Sequence, residues 1–145
     1  MITSLKVATT AATAYTAAFV AGTAISVKRG YIAEALGIRS GRTVRQDVTM
    51  GLFGAALAPP WSMIVQMWLA VRLASQPGRR SRGGRAWLAI LAALFVAGSV
   101  AEPISHKVLS RQLPAPDSMV AVANVVLPAT MLVGAVISLV STEDR

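Results

Sequence analysis

The sequence predicts an all-α integral membrane protein, a bundle of four transmembrane helices whose second member is kinked or re-entrant at Pro59-Pro60. Three observations carry that expectation. Of 145 residues, 54% are apolar and only 14% charged, too oily a balance for a water-soluble domain. Four stretches are each long enough to cross a hydrocarbon core of ~30 Å, which takes roughly 20 helical residues. The fourteen Lys and Arg, which against six Asp and Glu leave a formal charge of +8, gather in short clusters between those stretches. Loop charges that fix membrane topology are distributed this way, whereas a nucleic-acid surface is not. Cys is absent, which excludes disulfides, thiolate metal sites and thiol nucleophiles.

The spans fall at about residues 7–27, 48–71, 87–109 and 118–140, and together they make one transmembrane domain over residues 1–145. The first is rich in Ala and Thr. Its small residues are spread along the run and it closes on Lys28 and Arg29, so it reads as a span rather than a signal peptide, which needs a compact apolar core and a cleavage site. Thr10, Ala14, Ala18 and Gly22 recur every fourth residue, as do Ala89, Ala93, Ala97 and Ala101 in the third span and Thr130, Gly134 and Ser138 in the fourth. In lipid, such small-residue ridges let backbones approach, either within the bundle or between copies of the chain or membrane partners.

Every span after the first contains proline. Pro59 and Pro60, Pro103 and Pro128 remove N–H donors and free the carbonyls of Ala55, Ala56, Ser99 and Asn124. Breaks of this kind persist at membrane depth only where hydroxyls, neighbouring helices or water satisfy the backbone. A polar seam through Ser99 and Asn124 is one expectation, and simple kinks are the other.

Counting basic residues leaves the orientation open. Four full spans place seven on each side: Lys6, Arg72, Arg79, Arg80, Arg82, Arg85 and Arg145 against Lys28, Arg29, Arg39, Arg42, Arg45, Lys107 and Arg111. A re-entrant hairpin at Pro59-Pro60 would instead put both basic loops, residues 28–47 and 72–86, on one side. The apolar residues between Tyr31 and Ile38, flanked by basic ones, suit either a short interfacial helix or a solvated loop.

Only Glu102 among the acids falls within an expected span, with His106 one helical turn later. An ionisable group there is a functional-site candidate because its burial must be compensated. Glu102 and His106, with Ser99, Asn124 and Gln66 as further polar lining, form the candidate intramembrane site. The structural alternative pairs Glu102 with Lys107 or Arg111 near the helix end. One His and one Glu are too few for a catalytic zinc site, and no catalytic, nucleotide or metal motif is present, so no cofactor is expected. Arg79, Arg80, Arg82 and Arg85 are candidates for lipid headgroups, beside a topological role.

The chain has the span number of small multidrug-resistance exporters but lacks their first-span acid, reading Thr9-Thr10-Ala11-Ala12-Thr13 there, so no site is carried over. The expected function is that of a small multi-pass protein of a bacterial-type inner membrane, acting through helix contacts as a non-catalytic accessory or assembly component. The alternatives are a proton-coupled transporter or channel using Glu102 and His106, and a membrane-embedded enzyme on a lipophilic substrate. The expected partners are the bilayer, a further copy or another membrane protein, and no nucleic acid.

Overall fold

The computed structural model describes residues 2–34, 43–45, 55–110 and 112–141. These residues are helical apart from their connections: α1 (Ile2–Arg29), α2 (Trp61–Ala74), α3 (Arg79–Ala101), the short α4 (Pro103–Leu109) and α5 (Ala115–Val140). Three of them, α1, α3 and α5, are long and apolar enough to cross a membrane, while α2 is a shorter apolar helix.

In the Ala- and Thr-rich α1, Thr9, Thr13 and Thr16 donate to the carbonyls of Leu5, Thr9 and Ala12, so these three hydroxyls are satisfied by the helix's own backbone. Pro128 sits buried inside α5, which runs through it without interruption.

The helices close a ring in the order α1, α5, α3, α2, with α2 touching α1 again. Their shared core is apolar: Ala12 and Tyr15 from α1, Met67 from α2, Leu88, Leu91 and Phe95 from α3 and Met131 from α5. The rings of Tyr15 and Phe95 meet across the diagonal with centroids 4.9 Å apart.

Helix direction follows from the end contacts. Arg29 at the end of α1 pairs with Asp117 at the start of α5, whereas Arg85 near the start of α3 reaches Ser138 near the end of α5. Thus α1 and α3 run one way and α5 the other. The tight turn at residues 75–78 sends α3 back along α2. Ser81 Oγ caps the carbonyl of Ala74 at 2.9 Å, and a Cβ on Gly84 would lie 2.2 Å from the Ala74 nitrogen.

Two expected spans take a different form. The second is not one helix over residues 48–71. Its described part opens with a non-helical turn at residues 55–58, where the Ala58 N–H donates to the Ala55 carbonyl at 2.8 Å, and helix begins only at Trp61. Pro60 has no N–H to give, and each Pro drives the residue before it into extended backbone, which ends helix at this step. The third span starts earlier than residue 87 and ends earlier than 109. Its helix begins at Arg79 and breaks at Glu102, so the basic stretch counted as loop is mostly helix.

The turn is held inside the bundle. The Leu57 carbonyl accepts Asn124 Nδ2 at 2.7 Å and its N–H donates to Ser26 Oγ at 3.3 Å, while Gly22 leaves the space that the Leu57 carbonyl fills. Gly22 precedes Arg29, and Asn124 follows Asp117, by about 10 Å of helix, so both helices place the turn at one depth. From there α2, roughly 21 Å long, runs to the opposite end. Lys28 and Arg29 therefore lie at one end of the bundle, and Arg79, Arg80 and Arg82 at the other.

The expected packing ridges are only partly used. Gly22, Gly134 and Ser138 are buried, but Thr10, Ala14, Ala93 and Ala97 are exposed. The buried face of α3 is instead Gly84, Leu88, Leu91, Ala92 and Phe95. In loop one, residues 31–34 are not helical, and residues 35–42, which hold the rest of the possible interfacial segment to Ile38 and its flanking Arg39 and Arg42, lie outside the described residues, as do Arg111 and Arg145.

Candidate functional site

The charged groups converge at the end where α1 finishes and α5 begins. Gly30, at φ +72°, takes the left-handed conformation that stops α1, and the Tyr31 N–H returns to the Ser26 carbonyl at 3.0 Å. This Schellman-type cap turns Tyr31 back over the bundle. Its hydroxyl donates to Asp117 Oδ2 at 2.9 Å, and the Arg29 Nε lies 3.5 Å from the same oxygen. Asp117 is 1% exposed. A carboxylate so deeply placed needs compensation, and it receives the tyrosine, the guanidinium and the positive end of the α5 dipole, in whose first turn it stands. Burial and the adjoining Asp117 carboxylate, by hydrogen bond and by charge, raise the Tyr31 phenol above its ordinary range, with Arg29 opposing them.

Glu102 marks the break between α3 and α4. Its backbone is extended, at φ −71° and ψ 129°, as expected for a residue before proline. The carbonyl of Ser99, freed by Pro103, is recovered by the Ser105 hydroxyl, and the Glu102 N–H donates to the Gly98 carbonyl at 3.2 Å. The glutamate side chain reaches the incoming loop, where its Oε2 accepts the Glu34 N–H at 3.2 Å. Burial raises its pKa above the ordinary carboxylate range; the Glu34 N–H pulls it back and the Glu34 charge pushes it up again.

These groups surround a cleft of about 170 Å³ that includes Tyr31, Glu34, Ala56, Glu102, Ile104 and Lys107. It is open and shallow. Its Ile104 belongs with Leu57 and Ala121 to a buried apolar cluster, against which Tyr31 and Ala56 of the cleft also pack.

The residues of the expected intramembrane site do not meet. Glu102 lies just beyond the last residue of α3, in the cleft, while His106 is exposed on α4. No hydrogen bond or ion pair joins the two among the described residues, because the break at Glu102 destroys the helical register that would have stacked them. Asn124 serves the Leu57 turn, Ser99 offers its carbonyl to Ser105, and Gln66 sits half-buried on α2. Among the described residues, no three His, Cys, Asp or Glu side chains could hold a metal ion.

The basic cluster divides. Arg79, Arg80 and Arg82 are exposed, but Arg85 is buried and Nη1 donates to the Ser138 carbonyl at 2.8 Å. It satisfies an open carbonyl at the negative end of α5, so it is not available to headgroups. Asp117, Tyr31 and Glu34 are not among the site residues expected from sequence, where Tyr31 and Glu34 belong only to the possible interfacial segment. The signal for Asp117 was an acid in the first turn after Pro114 and Pro116, which foretells a helix start but not its partners.

Protein-family models, curated proteins and solved structures contain no match to the chain.

Proposed function

We propose that the chain is a multi-pass protein of a bacterial-type cell membrane that crosses the bilayer four times, the second time as a broken segment, and acts through helix contacts as a non-catalytic accessory or assembly component. One observation carries the reading. The space between the Glu102 cleft and the Arg85 end is filled by the apolar core that all four helices contribute, with Tyr15, Met67, Leu88 and Met131 fully buried in it. A proton-coupled carrier needs a polar route to its coupling acid, and an enzyme needs reacting groups that converge on a substrate. Glu102 has neither below it. Further inward, Asn124 Nδ2 and Ser26 Oγ are engaged with backbone, while the Tyr15 hydroxyl and Asn124 Oδ1 are buried as isolated atoms without a hydrogen-bond partner among the described residues, which is not a connected route. The outward Ala93 and Ala97 leave a shallow face on α3 that a partner helix can approach.

Photo-crosslinkers placed at Ala93 and Ala97 in native membranes test this. The reading expects a distinct membrane protein among the products; recovery of nothing but the chain itself would count against it. In proteoliposomes, Glu102→Gln is expected to leave any pH-gradient-driven flux unchanged, and its loss would transfer the weight to the transporter reading.

A further inference from the structure

We propose that the cleft at the Asp117 end binds the headgroup of an aminophospholipid, with the primary ammonium at the carboxylate of Glu102 beside Glu34 and the phosphodiester toward Lys107. The inference does not depend on the accessory role.

Its first ground is charge arrangement. Glu102 and Lys107 line the same cleft, yet no ion pair joins them among the described residues, so the cleft presents a negative wall and a positive one at separate points. A ligand that fits carries both signs a few bonds apart. Tyr31 has its hydroxyl committed to Asp117, leaving the ring as its contribution to the wall, which suits an ammonium.

The second ground is size. A volume of about 170 Å³ is what roughly five or six waters occupy at ~30 Å³ each, which is room enough for an ethanolamine phosphate.

Position supplies the third. The cleft opens where α3 leaves its apolar span, one residue after Ala101, and the exposed Ala93, Ala97 and Val100 precede it on the same helix. Val100, exposed and apolar two residues before Glu102, gives an acyl chain a surface to follow while the headgroup turns into the cleft. One aromatic ring does not make the cage that quaternary ammonium ligands use, whereas carboxylates reward N–H donors. The primary amine is therefore preferred over choline.

The test uses the purified full chain in detergent and native mass spectrometry with phosphatidylethanolamine, phosphatidylcholine and phosphatidylglycerol of identical acyl chains. Phosphatidylethanolamine is expected to be retained about tenfold better than the other two, and Glu102→Gln to erase that preference. Lys107→Gln should weaken retention without changing helix content, and it serves as the deciding variant if Glu102→Gln does not fold. Combined Arg79→Gln, Arg80→Gln and Arg82→Gln should keep the preference. Equal retention of all three lipids by the unaltered chain, or a preference unmoved by the variants of Glu102 and Lys107, overturns the proposal. Binding of soluble phosphoethanolamine without any lipid preference overturns it too.

Discussion

Asp117 shows how a single residue organises an end of the bundle. Its carboxylate ties the finish of α1, the returning Tyr31 and the start of α5 together at a fully buried point. Tyr31→Phe removes one hydrogen bond to a charged acceptor and is expected to cost about 1–2 kcal/mol in thermal or denaturant unfolding. Asp117→Ala is expected to cost more, since it strands the phenol and the Arg29 contact at once. The half-exposed Arg29 adds little by itself, because water screens it. The glycines provide a sharper residue-scale contrast. A Cβ on Gly22 would lie 1.9 Å from the Leu57 carbonyl oxygen, whereas one on Gly98 meets nothing within 4 Å. Gly22→Ala should therefore destabilise by about 1–3 kcal/mol or prevent assembly. Gly98→Ala should be neutral or stabilise by up to about 1 kcal/mol through helix propensity alone. Both are read by unfolding in detergent. Sequence showed that Gly22 belongs to a small-residue ridge. What it could not show is that the close partner there is the backbone of a turn rather than another helix.

At the scale of elements, the breaks are where sequence and structure meet most closely. Pro103 was expected to free the Ser99 carbonyl, and the Ser105 hydroxyl recovers it. Pro59 and Pro60 were expected to interrupt the second segment, and they do. Yet the donor that steadies the turn is Asn124, a residue more than sixty positions away, and only tertiary packing could pair them. The long α3 departs from the expected span at both ends for a related reason. Its first turns are rich in Arg and read as loop, but Arg85 is pinned to the end of α5 and the helix extends out to Arg79. Arg85→Ala is expected to destabilise by about 2 kcal/mol, while Arg79→Ala and Arg80→Ala change stability by less than about 0.5 kcal/mol. The Glu102 joint predicts a pH dependence of definite sign. Because its folded-state pKa is raised, the folded chain holds the proton longer than the unfolded chain does. Its contribution to stability is thus best at low pH, declines as pH rises from the ordinary carboxylate range to the raised value, and stays lower above it. Glu102→Gln should flatten that segment of the stability curve.

For the whole molecule, composition and charge spacing made an all-helical fold with helices long and apolar enough to cross a membrane legible, because apolar length and loop charge are local properties. The site was not legible. Glu102 was marked by its rarity, but its association with Glu34, Tyr31 and Lys107 depends on a helix break, a left-handed Gly30 and a loop return that bring together residues from three parts of the chain. The alanine ridge on α3 is equally visible, yet its middle, Ala93 and Ala97, points outward, since Leu88, Leu91 and Phe95 win the interior by burying more apolar area. The charge tie takes a physical form in the bundle, where the turn at about 10 Å depth and α2 below it carry the chain from one end to the other. If the two ends face opposite sides of a bilayer, the second segment is a broken crossing and not a hairpin. The chain contains no Cys, so single cysteines introduced at the exposed Lys28 and at Gly83 are clean reporters. Membrane-impermeant maleimide applied to intact cells and then to inverted vesicles is predicted to label Lys28→Cys and Gly83→Cys from opposite sides; labelling of both from the same side would contradict the account.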